Sequence, residues 1–301
     1  MADDAFAVVC SDSIIKNPRG QSLFVVRYDP PSKTTTVARL FFHHGLGDHC
    51  GRYGKVFRRM AAAGVIVHSM DAHNHGKSDS MAPNDRAFIA SFDHFVDDYA
   101  LLIDSVRTEI EGTDATRLPS FVGGHSTGGL ISAWLVLRPG QQARWAGLLL
   151  HSPVLDVQWN VSLTIQSYIG RLLGWLMPRA RVVAAVKVED ISPDPAVRDE
   201  YLKDPLATKG AVCAGTACVI LDAFVAIGPR AKDFTLPIYC GFGTLDRITS
   251  LPAAKRWLAR VGSTDATLKE FEGGYHELLM GPEWADASDT MVAWMRERAK
   301  Q

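Results

Sequence analysis

Three residues of this chain are of the types that together cleave an ester or amide: Ser126, Asp246 and His276. A serine hydroxyl is a poor nucleophile until an imidazole takes its proton. The imidazole in turn needs a carboxylate to fix its tautomer and stabilise its cation. Ser126 lies in Gly124-His125-Ser126-Thr127-Gly128, after the apolar pair Phe121-Val122 and before a helix-compatible run from Leu130 to Val136. Such a serine reads as the apex of a sharp strand-to-helix turn with a strained backbone. Its neighbours are small because a Cβ would collide with the adjoining strand and helix. The Oγ then stands clear of the sheet, near the positive end of a helix. The chemistry implied is acyl transfer through a covalent serine intermediate.

That chemistry also needs donors for an oxyanion. His43-His44-Gly45-Leu46-Gly47-Asp48-His49 follows the buried-strand run Val37–His43, and its glycines let backbone N–H groups face a small anion. Leu46 and Thr127 are the candidate backbone donors. The plainer reading of the same loop is an ordinary glycine-rich strand-to-helix turn. His44 and His49 are expected to pack the loop, since no third ligand stands at metal spacing. Asp71, in Asp71-Ala72-His73-Asn74-His75-Gly76-Lys77-Ser78, is expected to hold its turn by accepting from backbone N–H groups rather than to serve as the acid.

The elements that must position these residues alternate. Ala5–Cys10 and Leu23–Tyr28 read as an antiparallel entry pair. Strands are then expected at Val37–His43, Val65–Met70, before Ser126, at Trp145–Leu150, Leu236–Phe242 and Ala266–Phe271. Helices are expected at Tyr53–Ala63, Phe92–Glu111, after Ser126, at Pro252–Val261 and Trp284–Arg298. Strand and helix in turn mean a doubly wound, mostly parallel sheet. Ser126, Asp246 and His276 each fall just past a strand, at the carboxyl edge where such sheets bind ligands.

The rhythm breaks between Val154 and Phe234, where breakers such as Pro178, Pro193, Pro195 and Gly210 separate helix-like stretches and no clear strand is seen. Residues 1–153 and 235–301 therefore read as the core, and 154–234 as an inserted helical cap. In the cap, Val161–Met177 carries one charge, Arg171, and an apolar stripe of Ile165, Tyr168, Ile169, Leu172, Leu173 and Leu176, with Trp175 beside it. At 17 residues, with Gly170 and Gly174 inside, it falls short of a spanning helix. A helix packed on the core and a lid that touches lipid both fit this pattern.

Composition narrows the class. The chain has 301 residues, 47% hydrophobic, with a formal net charge of −1, so it can build a large core and offers no basic field for nucleic acid. Its cysteines, Cys10, Cys50, Cys213, Cys218 and Cys240, are odd in number and scattered, which points to a reducing compartment rather than a disulfide framework. The acidic Met1-Ala2-Asp3-Asp4 start lacks the apolar run of a secretory signal. A cytoplasmic protein needing no cofactor or metal is expected.

These motifs together resemble the monoacylglycerol lipases and related lysophospholipases, serine hydrolases of the α/β-hydrolase fold with a helical cap. His44-Gly45-Leu46-Gly47-Asp48-His49 with Gly51-Arg52-Tyr53 is similar to the family's H-G-x-G-E-H…G-R-Y, and Gly124-His125-Ser126-Thr127-Gly128-Gly129 to G-H-S-M-G-G. Asp71…His75-Gly76-Lys77-Ser78 is similar to D-x-x-G-H-G-x-S, and Tyr201-Leu202-Lys203-Asp204-Pro205-Leu206 to Y-x-x-D-P-L. Gly243-Thr244-Leu245-Asp246-Arg247 and Tyr275-His276 resemble the acid and base motifs. The resemblance implies Ser126 as nucleophile, Asp246 as acid, His276 as base, and Leu46 and Thr127 as the oxyanion hole. It implies polar contacts to a glycerol end from Asp48, Arg52 and Tyr201, with the acyl chain under the cap.

Four positions depart from the pattern: Asp48 for Glu, Thr127 for Met, Asn74 for a turn glycine, and Leu279 for a second histidine. Asn74 can keep the turn, since Asn tolerates positive φ. The expected activity is hydrolysis of a monoacylglycerol to fatty acid and glycerol, with peripheral membrane contact through residues 161–177. A lysophospholipase or general carboxylesterase is the nearer alternative, and an acyltransferase or a ligand receptor the farther one.

Overall fold

The computed structural model describes residues 7–80, 85–155, 170–183 and 186–300. Its centre is an eight-stranded sheet: β1 (Val9–Lys16), β2 (Ser22–Asp29), β3 (Ala38–His43), β4 (Val65–Met70), β5 (Ser120–His125), β6 (Gly147–His151), β9 (Ile238–Gly243) and β10 (Ala266–Phe271). The spatial order is β1-β2-β4-β3-β5-β6-β9-β10. β1–β2 and β2–β4 pair antiparallel, and every other neighbour pair is parallel. This is the α/β-hydrolase architecture expected.

Helices α1 (Gly54–Ala62), α2 (Phe92–Ile110), α3 (Thr127–Val136), α8 (Leu251–Leu258) and α9 (Trp284–Arg298) cover the sheet. Side chains alternate across a strand, so each strand feeds two cores. On β3, Phe41 joins the core under α2 and α3, while Leu40 and Phe42 join the one under α1 and α9. Phe95, Val96, Tyr99, Leu102, Ile103 and Val106 form the buried face of α2, at the helical spacing the sequence shows.

The first expected strand, Ala5–Cys10, is displaced: β1 begins at Val9, and residues 1–6 lie outside those described. Hydrophobicity does not select β1, because Val9 and Ile14 are exposed. Its continuous antiparallel ladder to β2, from Val9–Asp29 to Lys16–Ser22, does. The helix expected from Tyr53 starts as a 3-10 turn, Cys50–Tyr53, before α1.

Between β6 and β9 the chain leaves the sheet. The described part holds helical residues 170–176 (α4), β7 (Arg181–Val183), α5 (Val188–Ile191), α6 (Pro195–Lys203), β8 (Val212–Cys213) and α7 (Ala214–Ile227). The expectation of no strand here is corrected: β7 and β8 form a small antiparallel ladder. Strands of three and two residues are too short to carry a periodic signal. The expected helix Val161–Met177 is described only from residue 170, so Ile165, Tyr168 and Ile169 fall outside. In α4, Leu172, Trp175 and Leu176 are exposed, while Gly174 lies against α7, where a Cβ would come 2.6 Å from the Cys218 Sγ. Ala214–Asp233 is long and apolar enough to cross a membrane by length and composition, and 28% of its most apolar stretch is buried. Ala214, Thr216, Ala223 and Ile227 are among the buried residues of α7.

Candidate active site

Ser126 occupies the turn between β5 and α3 with φ 54° and ψ −121°, the strained backbone expected. Its N–H donates to the His151 carbonyl at 2.9 Å, which ties the turn to β6. The glycines around it are sterically required. A Cβ on Gly124 would sit 2.4 Å from the Gly128 carbonyl, and one on Gly128 would sit 2.2 Å from the His43 carbonyl. Thr127 is the first residue of α3, so its N–H belongs to the set that has no intrahelical acceptor.

One cavity of about 220 Å³ brings the sequence-predicted residues together. Ser126, His276, Leu46, Thr127, Asp48, Arg52 and Tyr201 all line it. Asp246 stands behind His276, with its side chain wholly buried, and accepts from the His276 Nδ1–H at 2.9 Å. A carboxylate accepts only, so Nδ1 carries the proton and Nε2 is left with the lone pair. Burial alone would raise the Asp246 carboxyl. His276, together with the Thr249 N–H and hydroxyl, outweighs burial and holds it below its usual range.

Sequence reasoning passed over the residues that hold this pair. Thr249 donates its hydroxyl to Asp246 Oδ2 at 2.7 Å, and the N–H groups of Ile248 and Thr249 donate to Oδ1 at 2.8 and 3.0 Å. The signal was legible: a Thr three residues after an Asp past a strand end is Asx-turn chemistry. Ser152 Oγ donates to the His276 carbonyl at 3.0 Å, and His125 Nε2 donates to the same carbonyl at 3.1 Å. No local pattern announces these two, because their partner is more than 120 residues away in the chain.

The cavity's polar end is an ion network. Glu277, also unforeseen, meets Arg52 in a two-point contact: Nη1 donates to Oε1 at 3.0 Å and Nη2 to Oε2 at 2.6 Å, and both side chains are buried. Arg52 Nη1 also donates to Asp48 Oδ1 at 3.2 Å, and the Tyr201 ring lies 5.0 Å from its guanidinium carbon. Asp48 further accepts from the Tyr53 hydroxyl at 2.8 Å and the His49 N–H at 2.8 Å. His125 Nε2 must carry its ring's proton to reach a carbonyl, so Nδ1, 3.0 Å from the Tyr53 oxygen, holds a lone pair and the Tyr53 proton goes to the charged Asp48. Burial keeps His125 neutral, its pKa pushed down to about 3.

Two carboxylates share one guanidinium here, and they separate in acidity. Burial acts to raise Asp48, but Arg52, His44 and its hydrogen bonds outweigh it and hold the carboxyl at about 2. Burial, reinforced by Asp48, raises Glu277 despite Arg52. Arg52 is held firmly charged: burial opposes this, and Asp48 and Glu277 override it.

The loop carrying Leu46 is braced by the segment that follows α6. Thr208 N–H donates to the Gly47 carbonyl at 2.7 Å, and His49 Nε2 pairs with Asp204 Oδ2 at 2.8 Å. Asp204 belongs to the Tyr201–Leu206 motif, which thus acts as a brace as well as a wall. His44 Nε2 accepts from the Ala72 N–H at 2.9 Å, so both loop histidines pack as expected. Asp71 accepts from the N–H groups of Cys50 and Lys77 at 2.8 and 2.7 Å, holding its turn. Asn74 takes φ 62° in place of a glycine.

Residues 34–283 match the family described as serine aminopeptidase, S33. The chain belongs to this family. It is 30% identical over 253 residues to the monoacylglycerol lipase of Mycolicibacterium smegmatis, covering 84% of this chain and 85% of that one. It is 29% identical over 263 residues to human monoglyceride lipase, covering 87% and 82% of the two chains. The crystal structure of the monoacylglycerol lipase of Paleococcus ferrophilus superposes with a TM-score of 0.74 at 25% identity, covering 92% of this chain and 99% of that one. The protein is a serine ester hydrolase of the lipase and esterase kind, and its fold and family meet the expectation drawn from the sequence.

Proposed function

We propose that this S33-family hydrolase cleaves a monoacylglycerol to fatty acid and glycerol, with Ser126 as nucleophile, His276 as base and Asp246 as acid. His276 Nε2 takes the Ser126 proton as Oγ attacks the ester carbonyl. The oxyanion faces the N–H groups of Leu46 and Thr127, each worth about 3 kcal/mol in such sites. Collapse breaks the ester C–O bond, and His276 returns its proton to the departing glycerol oxygen. Water, deprotonated by His276, then attacks the acyl-enzyme. The fatty acid leaves and Ser126 is reprotonated.

The observation that carries the substrate is the pairing of Ser126 and His276 with the Asp48–Arg52–Glu277 network in one small cavity. The other cation of the lining, Arg181, donates to the Ala211 and Arg86 carbonyls, and Arg52 is engaged by two carboxylates, so the Asp48–Arg52–Glu277 end offers no spare positive charge for a phosphate. It suits hydroxyl groups, and it disfavours a lysophospholipid. Val154, Val186, Ile191, Ile220 and Ile248 give the same cavity an apolar side for an acyl chain. Names of relatives point the same way: those of Mycolicibacterium smegmatis and human are monoacylglycerol lipases.

Residues 154–234 act in this reading as a lid, and the exposed Leu172, Trp175, Leu176 and Met177 meet the lipid surface without spanning it. The test is a substrate panel on purified protein: monoacylglycerols of several chain lengths, lysophosphatidylcholine and short-chain p-nitrophenyl esters. Monoacylglycerol should have the highest kcat/KM. Faster turnover of the choline lipid would overturn the substrate assignment. Ser126→Ala should lose about 10⁴-fold or more in kcat with an unchanged unfolding midpoint.

A further inference from the structure

At the end of the sheet away from Ser126, strands β3, β5 and β6 begin beside the last turns of α2. A cleft of about 780 Å³ opens there, lined by Arg39, Arg107 and Arg144. Among the described residues only Arg144 of the three has a carboxylate partner, Asp104 at 2.9 Å. Arg39 is 3% exposed, its two terminal nitrogens share the Ala115 carbonyl at 3.4 Å, and its Nε is without a partner among the described residues. Arg107 donates to the Arg144 carbonyl at 3.1 Å and lies 4.8 Å over the Trp145 ring. Neither Arg39 nor Arg107 has an ion pair among the described residues.

Leaving a guanidinium shielded from water without a counter-charge is costly. Burial lowers the pKa of Arg39, and burial with the Arg144 charge lowers that of Arg107 to about 10. The other charges of the lining are Asp104, taken by Arg144, and the exposed Glu111, so positive charge is in excess. Guanidinium forks match oxyanions at two points. Trp145 and Leu118 add an apolar wall, and the volume lies in the range of small-molecule sites.

We propose that this cleft binds a phosphate monoester, its dianion held between Arg39 and Arg107 and its organic part laid against Trp145. Two guanidinium forks without carboxylate partners among the described residues offer donors for more than two oxygens, which favours the three terminal oxygens of a phosphate over the two of a carboxylate. The site is separate from the ester-cleaving cavity. Ser120 lines the cleft and Ser126 follows the far end of the same strand, about 20 Å away at about 3.3 Å per residue.

The experiment is calorimetric titration of the full chain with phenyl phosphate, inorganic phosphate and benzoate, each at ionic strength matched with potassium chloride. Phenyl phosphate should bind most tightly. Arg107→Gln should weaken it at least tenfold while short-chain ester hydrolysis is unchanged. Thr116→Glu, which adds a negative charge at the exposed rim, should weaken it similarly and guards against a folding defect in the first variant. Equal binding of phenyl phosphate and benzoate, equal binding of phenyl and inorganic phosphate, or a titration unmoved by both variants would overturn the proposal.

Discussion

Replacing Glu277 tests the ion network at its weakest point. Glu277→Leu removes one of the two carboxylates that neutralise a buried Arg52 and leaves Asp48, 3.2 Å away, as the other. Removing one partner of a buried pair costs about 3–5 kcal/mol. Asp48 keeps part of that compensation, so about 2–3 kcal/mol is expected for this variant. Glu277→Gln keeps one acceptor for Arg52 but turns an N–H₂ group toward its other nitrogen, and about 1–2 kcal/mol is expected. Equilibrium urea unfolding followed by tryptophan fluorescence measures both. The variants also free Arg52 toward the cavity, so turnover of lysophosphatidate relative to monoacylglycerol should rise about tenfold in kcat/KM, on the scale of one partly screened charge contact. A Glu277→Leu protein as stable as the parent, with an unchanged substrate ratio, would refute both the charge accounting and the headgroup reading.

Thr249→Val removes the hydroxyl that donates to Asp246 at 2.7 Å, a charge-assisted bond of about 1.5–3 kcal/mol. It should lower kcat by about 10–100-fold, and Thr249→Ser should restore most of it, both read in steady-state ester hydrolysis. Gly128→Ala drives a Cβ to 2.2 Å from the His43 carbonyl, so it should cost more than about 4 kcal/mol, seen as lost soluble yield or a collapsed urea midpoint. Stability should also depend on acid through Asp48. Its folded pKa of about 2 lies below the ordinary 3.8, so its contribution is present above about 4 and lost as pH falls through about 2. A urea series from pH 5 to pH 2 should be flatter for Asp48→Asn than for the parent. Glu277 has the opposite sign: with its pKa raised, its contribution is present below the ordinary 4.5 and is lost as pH rises through the folded value.

Much of the fold and the candidate triad was legible without coordinates. The buried strands are short apolar runs, the amphipathic α2 repeats at helical spacing, and Ser126, Asp246 and His276 each follow a strand. Those signals are local. A strand or a helix is selected by its own periodicity, and a strained serine turn by the glycines that permit it. β1 was misplaced because an exposed edge strand is held by backbone pairing and has no apolar pattern to read. The β7–β8 ladder was missed for want of length.

By itself the sequence determined the order of elements, the sheet edge at which the chemistry residues emerge, and which side chains could share a proton. Only the tertiary structure decided what surrounds them. It set Glu277 on Arg52, Thr249 on Asp246, and Ser152 and His125 on the carbonyl of His276. It also left Arg39 and Arg107 without carboxylate partners among the described residues, at the far end of the same strands. The physical reason is the range of the interactions. Periodicity and turn chemistry act over a few residues, whereas burial, charge compensation and pKa depend on groups that meet only after the chain has packed.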